Sequence, residues 1–169
     1  MKLKAKLIST IAAFAMVLCL TIVGVWAAAS VSVNVTGTVT YTATDVNAQI
    51  DGTITGITET GKTYTHTFNA ASTKDSETWD LSDITFVKDS EVVISLKVTN
   101  LDTARSITAT LANNGAAAGT NTTAVLGTTT TATIAAGDNA TFTFTIKVED
   151  WNKAASYSIN LGLTLVNVA

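Results

Sequence analysis

"VSVNVTGTVTY", residues 31 to 41, decides the fold. Val31, Val33, Val35, Gly37, Val39 and Tyr41 fall on one face, and Ser, Asn and Thr fall on the other. A period of two puts alternate side chains on opposite faces of an extended chain. β-branched residues are stiff about the first side-chain torsion and suit a pleated surface. The stretch therefore reads as a strand with one buried and one wet face.

The same rhythm recurs along the chain. "VNAQIDGTI" carries Val46, Ala48, Ile50 and Ile54, and "KTYTHTFN" aligns Tyr64, His66 and Phe68 against threonines. "SEVVISLKV" and "RSITATL" follow, with "NATFTFTIKV" and "SYSINLGLTLVNV" closing the series. Seven alternating segments separated by turn signals predict an all-β chain. One wet face per strand points to antiparallel pairing, since parallel sheets are covered on both faces. The architecture expected is an antiparallel β-sandwich of jelly-roll type. Two stretches break the rhythm. "NAASTKDSETWDLSD", 69 to 83, reads as an acidic loop with room for a helical turn. In the low-complexity stretch from 113 to 138, the Gly, Ala and Asn half reads as a loop and "TTTTATI" as a strand.

Upstream of the first strand the composition changes. Lys2, Lys4 and Lys6 precede the apolar run "IAAFAMVLCLTIVGVW" and the small residues Ala27, Ala28 and Ala29. A basic head, an apolar middle and a small-residue exit describe a secretory signal over residues 1–29, with cleavage near Ala28 or Ala29. The alternative is a retained membrane anchor, because the run is long enough to span. Residues 30–169 then form one β domain, secreted or held at the cell surface. Bulky Leu18 before Cys19 does not fit lipoprotein processing, which leaves Cys19 as an apolar residue of the signal. The rest of the chain has no cysteine and so no disulfide or thiol chemistry.

The 169-residue chain carries 10 Lys and Arg against 13 Asp and Glu. Removing the three lysines of the signal leaves seven basic and thirteen acidic residues, a net charge of −6. Without a basic footprint, nucleic acid and anionic membrane surfaces are not expected partners.

Groups suited to catalysis are scarce. His66 is the single histidine, so no multi-histidine metal site is available, and "THTFN" is not a zinc-protease helix. A nucleophile elbow and phosphate-binding glycine loops are absent. The chain reads as a non-enzyme without a cofactor. Asp75, Glu77, Asp80 and Asp83, with Asp89 and Glu91 beyond them, are the best calcium candidates, although their spacing matches no calcium loop. The sequons at Asn34, Asn121 and Asn139 are about as many as composition supplies by chance. Lys97 and Lys147 fall on the wet faces of their strands, which argues against an internal isopeptide bond. Trp79 and Trp151 read as core packing, or as a stacking platform if exposed.

"SDITFVKDSEVVISLKVTNLDTARSITATL" joins an apolar stretch, a polar turn, a strand ending in Val98-Thr99-Asn100, a short turn and another strand. "IAAGDNATFTFTIKVED" repeats the turn-then-strand order. Together with a signal that feeds straight into a strand, this pattern resembles the TasA/camelysin family of exported matrix-fibre proteins. It departs from the family where Val87-Lys88-Asp89-Ser90 replaces a glycine-containing turn, and where an aromatic-Asp or aromatic-Asn pair is missing after the signal. The resemblance implies a structural protein that self-associates into extracellular fibres or biofilm-type matrix. Its N-terminal strand, residues 30–42, would be donated to the next subunit by β-augmentation, with Val31, Val33, Val35 and Val39 as the pegs. The other reading makes 30–42 the first strand of its own domain. A monomeric surface module that binds glycan or protein through Trp79, Trp151 or the 113–127 loop is the competing function.

Overall fold

The computed structural model describes residues 33–59, 61–115 and 119–168. The signal and anchor readings of residues 1–29, and the peg Val31, lie outside the described residues. The described chain is all β, with strands β1 (Val33–Thr55), β2 (Thr63–Asp80), β3 (Glu91–Asn100), β4 (Ile107–Asn113), β5 (Thr122–Leu126), β6 (Thr131–Ile134), β7 (Asn139–Val148) and β8 (Ala155–Asn167). They make one curled sheet in the order β5-β7-β3-β1-β8-β4-β6, with β2 paired to β1.

The sheet is mixed, which corrects the expectation of purely antiparallel pairing. Six ladders are antiparallel, but β1 and β8 run parallel from Val33↔Ala155 to Thr44↔Val166. Both strands alternate as antiparallel ones do, and both lie inside the sheet with a partner on either side. Parallel pairing is ordinarily found in such interior positions.

The two segments predicted around 31–41 and 46–54 are one strand, β1, bent at Asp45. Before the bend the buried positions are odd: Val35, Val39, Tyr41 and Ala43. After it they are even: Val46, Ala48, Ile50 and Ile54. Asp45 sits at φ 51°, a left-handed conformation that Asp tolerates better than most residues. The register against β2 jumps there, from Thr44↔Lys74 to Val46↔Ala70. A bulge of this kind flips the inward set and bends the strand.

The bend brings the two halves of β1 face to face across the core. Tyr41 on the first half stacks on Tyr64, whose register partner is Gly52 on the second half (4.8 Å between ring centroids, 16° between planes). Trp79, paired with Val39, stacks on the same Tyr64 at 5.8 Å. Burial pushes the Tyr41 hydroxyl far above the ordinary phenol range, with Tyr64 adding to the effect. Phe68, Ile94, Leu96, Phe142, Phe144, Ile146 and Leu161 complete the core.

Two loop expectations are corrected. Residues 69–80 are the second half of β2, not a loop. They are held as a strand because β1 continues past Asp45 and offers a ladder from Thr38↔Asp80 to Thr44↔Lys74. Within 113–127, Thr122–Leu126 forms β5 on the edge of β7. The strand expected in "TTTTATI" is β6.

Asn100 is the only polar residue among the described ones that is fully buried within a strand, at 0% exposure. Its side-chain nitrogen donates to the carbonyls of Arg105 (2.8 Å), Ile134 (3.1 Å) and Ala135 (3.1 Å). Its Oδ1 accepts from the Asp102 N–H at 3.0 Å. One side chain thus satisfies backbone groups of the β3–β4 and β6–β7 turns and ties them together.

Candidate functional site

The site is the first half of β1 and the slot that holds it. Val35 and Val39 are buried at 1% and 0% exposure, and Val33 is partly buried against the same core. Their polar neighbours Asn34 and Thr36 are exposed. On one side the strand lies parallel to β8, with Val35 beside Tyr157 and Val39 beside Leu161. On the other side Val39 faces Trp79, and Val35 bridges to Ile84. Burying a valine side chain stabilises by about 1.5 to 3 kcal/mol, so Val35 and Val39 together contribute several kcal/mol in this slot.

Gly37 packs its backbone tightly against β8, opposite Ile159. It sits at φ 145°, and a Cβ there would overlap the backbone carbonyl of Ile159. Its own carbonyl accepts from the Leu81 N–H at 2.8 Å, just beyond the end of β2. Only glycine combines this backbone conformation with this packing.

The far end of the slot is Asp45. Its Oδ2 accepts from Arg105 Nη1 at 3.2 Å and from Asn167 Nδ2 at 3.3 Å. Arg105 Nε also donates to Asp102 at 2.8 Å. Asp102 is held down to about pKa 2, first by the Ala104 N–H and then by the Arg105 side chain. A hollow of about 220 Å³ opens at the bulge, lined by Val46, Asn47, Asn69 and Arg105. The bend is therefore a polar junction that joins β1, the β3–β4 turn and the end of β8.

The other residues singled out in the sequence are dispersed. Asp75 and Glu77 are exposed on β2, opposite Ala43 and Tyr41. Together with burial, the larger cause, they push the Tyr64 hydroxyl up. Asp80 ends β2 and is held below the usual carboxylate range, chiefly by the Ser82 N–H. Asp83 follows at φ 64°. Among the described residues, no three His, Cys, Asp or Glu side chains come together in a way that could hold a metal ion.

His66 lies between Tyr64 and Phe68 on one strand face, edge-on to Phe68 at 4.6 Å. Trp79 is 6% exposed and belongs to the core, which removes it as a surface stacking platform. Trp151 is half-buried with its ring tilted against Phe86 at 6.4 Å. Lys97 is exposed, and Lys147 pairs with Glu91 on the outer face. Asn121 spends its amide on Asp150 and Lys153, accepting from the Asp150 N–H and donating to both carbonyls.

A comparison of the chain with protein-family models finds no match, and a comparison with curated proteins finds none either.

Proposed function

We infer that this chain is a secreted, non-enzymatic structural protein that assembles into extracellular fibres by strand donation. On this reading the curled sheet is a jelly-roll-like β-sandwich, as the alternating strands and the spacing of the turns between them lead one to expect. The observation that carries the reading is the separability of Val33–Thr44. That segment fills a slot between β8 and β2 with alternating valines and ends at a bulge. Past Asp45 the rest of β1 is held independently, by β2 and β3.

A change of backbone direction near Asp45 would take Val33–Thr44 out of its own slot and into the same slot of a neighbour. The neighbour's slot offers the strand the same partners as its own, so the exchange costs little energy and is favoured by concentration. A chain that gives its strand to one neighbour and receives one from another makes a heterologous interface, which builds an open filament. Val31, Val33, Val35 and Val39 are the pegs, and main-chain hydrogen bonds to β8 and β2 supply the affinity.

The test is a reversible staple. Thr38 and Asn160 are register partners across β1 and β8. Neighbouring strands lie about 4.8 Å apart, within reach of a disulfide. In a Cys19→Ala background, the full chain carrying Thr38→Cys and Asn160→Cys is oxidised while unassembled and examined by negative-stain electron microscopy. Fibres are expected from the reduced protein and none from the stapled protein. Equal fibre formation by both would contradict donation of this strand.

A further inference from the structure

We propose that the outer edge of β5 is a second self-association surface, at which two copies of this chain pair antiparallel about a two-fold axis through Val125. The interface is separate from strand donation and uses no residue of β1.

Residues 106–137 contain no Asp, Glu, Lys, Arg or His, whereas the whole chain carries 13 acidic and 10 basic residues. This stretch supplies β4, β5 and β6, and the last two are the ends of the strand path. Two copies of an acidic chain meet with least repulsion where neither carries charge. Edge strands of monomeric proteins are commonly blunted by charge, proline or bulges. The β2 edge has Lys74, Asp75 and Glu77 together with a register break, but β5 has none of these devices.

Backbone directions define the open groups. The Gly127 N–H donates to the Thr143 carbonyl at 2.7 Å, and the Glu149 N–H donates to the Asn121 carbonyl at 3.1 Å. Odd positions of β5 therefore aim their backbone at β7, and even positions aim theirs outward, as antiparallel ladders require. Near Thr122 the outer side is covered, because the Thr122 hydroxyl donates to the Ser156 carbonyl at 2.9 Å. At Ala124 and Leu126 the outward groups pair with none of the described residues.

Side chains select the register. Val125 is 61% exposed, the highest among the exposed large hydrophobics of the described residues, and it lies on the outer face between those two open positions. Pairing Ala124 with Leu126 of the second copy, and the reverse, uses all four outward groups. It also sets Val125 against Val125 of the second copy in a non-hydrogen-bonded pair, where side chains approach most closely. The surface is self-complementary, as a two-fold interface must be.

The experiment is symmetric cross-linking of the full chain in a Cys19→Ala background. Val125→Cys brings two thiols about 4.5 Å apart at Cα on the axis, which suits a disulfide. Thr123→Cys, two residues off the axis, and Val166→Cys, on an exposed strand face elsewhere, serve as controls. Under mild oxidation Val125→Cys is expected to give at least tenfold more covalent dimer than either control. Adding Ala124→Pro removes an outward N–H without touching the β7 ladder, and should reduce that yield. Equal yields from Val125→Cys and Val166→Cys would overturn the proposal. Fibres that form without Val125 cross-linking would overturn it too, while leaving strand donation standing.

Discussion

The ring of Trp79 lies directly on the backbone of Gly52, so close that a Cβ at Gly52 would sit 2.6 Å from Trp79 Cζ3. These residues are 27 positions apart on different strands, and their contact is a direct sign that β1 and β2 fold back over the core. Gly52→Ala should push the indole out of its seat and destabilise the protein by about 1 to 3 kcal/mol, the usual cost of overpacking. Urea denaturation followed by tryptophan fluorescence reads both effects, as a lower midpoint and a shifted emission maximum.

Asn100 makes the opposite kind of contact, polar and fully enclosed. Asn100→Ala leaves three carbonyls and the Asp102 N–H without their side-chain partner. Buried groups left unpaired cost about 1 to 3 kcal/mol each at most, and some will recover water. A loss of about 2 to 4 kcal/mol is expected, measured by the urea midpoint, with amide exchange accelerated first in the β3–β4 and β6–β7 turns.

Gly37→Ala should act locally on the slot. The added methyl meets Ile159 backbone, and the backbone angle is one that L-residues rarely adopt. The expected result is a loss of about 2 kcal/mol or more, together with faster amide exchange in 34–40 and in 157–161 than in β3 or β7. Uniform acceleration across all strands would argue that β1 and β8 are not specially coupled at Gly37.

The turn at Asp102 gives the acid limb of stability a specific origin. Its folded pKa, about 2, is below the unfolded value of about 3.9, so the carboxylate stabilises the fold above that unfolded value. That contribution is lost as pH falls from about 4 to about 2. The melting temperature of Asp102→Asn should therefore lie below that of the parent at neutral pH, and the gap should close as pH approaches 2. A gap that does not change with pH would locate the effect in packing.

Much of this fold could be read from period-two alternation, because a strand with one wet face records its burial in every second residue. Val92, Ile94, Leu96 and Val98, and Phe142, Phe144 and Ile146, are buried as their spacing implies. The second half of β2 escaped because every residue from Thr73 to Thr78 is exposed, including Asp75 and Glu77 on the face that Trp79 shares. Among its described side chains only Ala70 and Trp79 are buried, and a polar surrounding disguises the tryptophan. The parallel β1–β8 ladder left no local signal either, since alternation says which face is buried and not which strand lies alongside. At the candidate site the burial of Val35 and Val39 was legible from their spacing. The junction at Asp45 was not, because Arg105 and Asn167 are 60 and 122 residues away in sequence.

Strand donation is tested most directly by mixing two singly substituted full chains, Thr38→Cys and Asn160→Cys, each in the Cys19→Ala background. Neither can form the 38–160 disulfide alone, and a chain that keeps its own strand cannot form it with a neighbour. The mixture is expected to yield a 38–160 cross-link between chains, identified by peptide mass, and to yield it in the fibre fraction. Fibres that contain no such cross-link, or a mixture that stays monomeric at high concentration, would contradict the account.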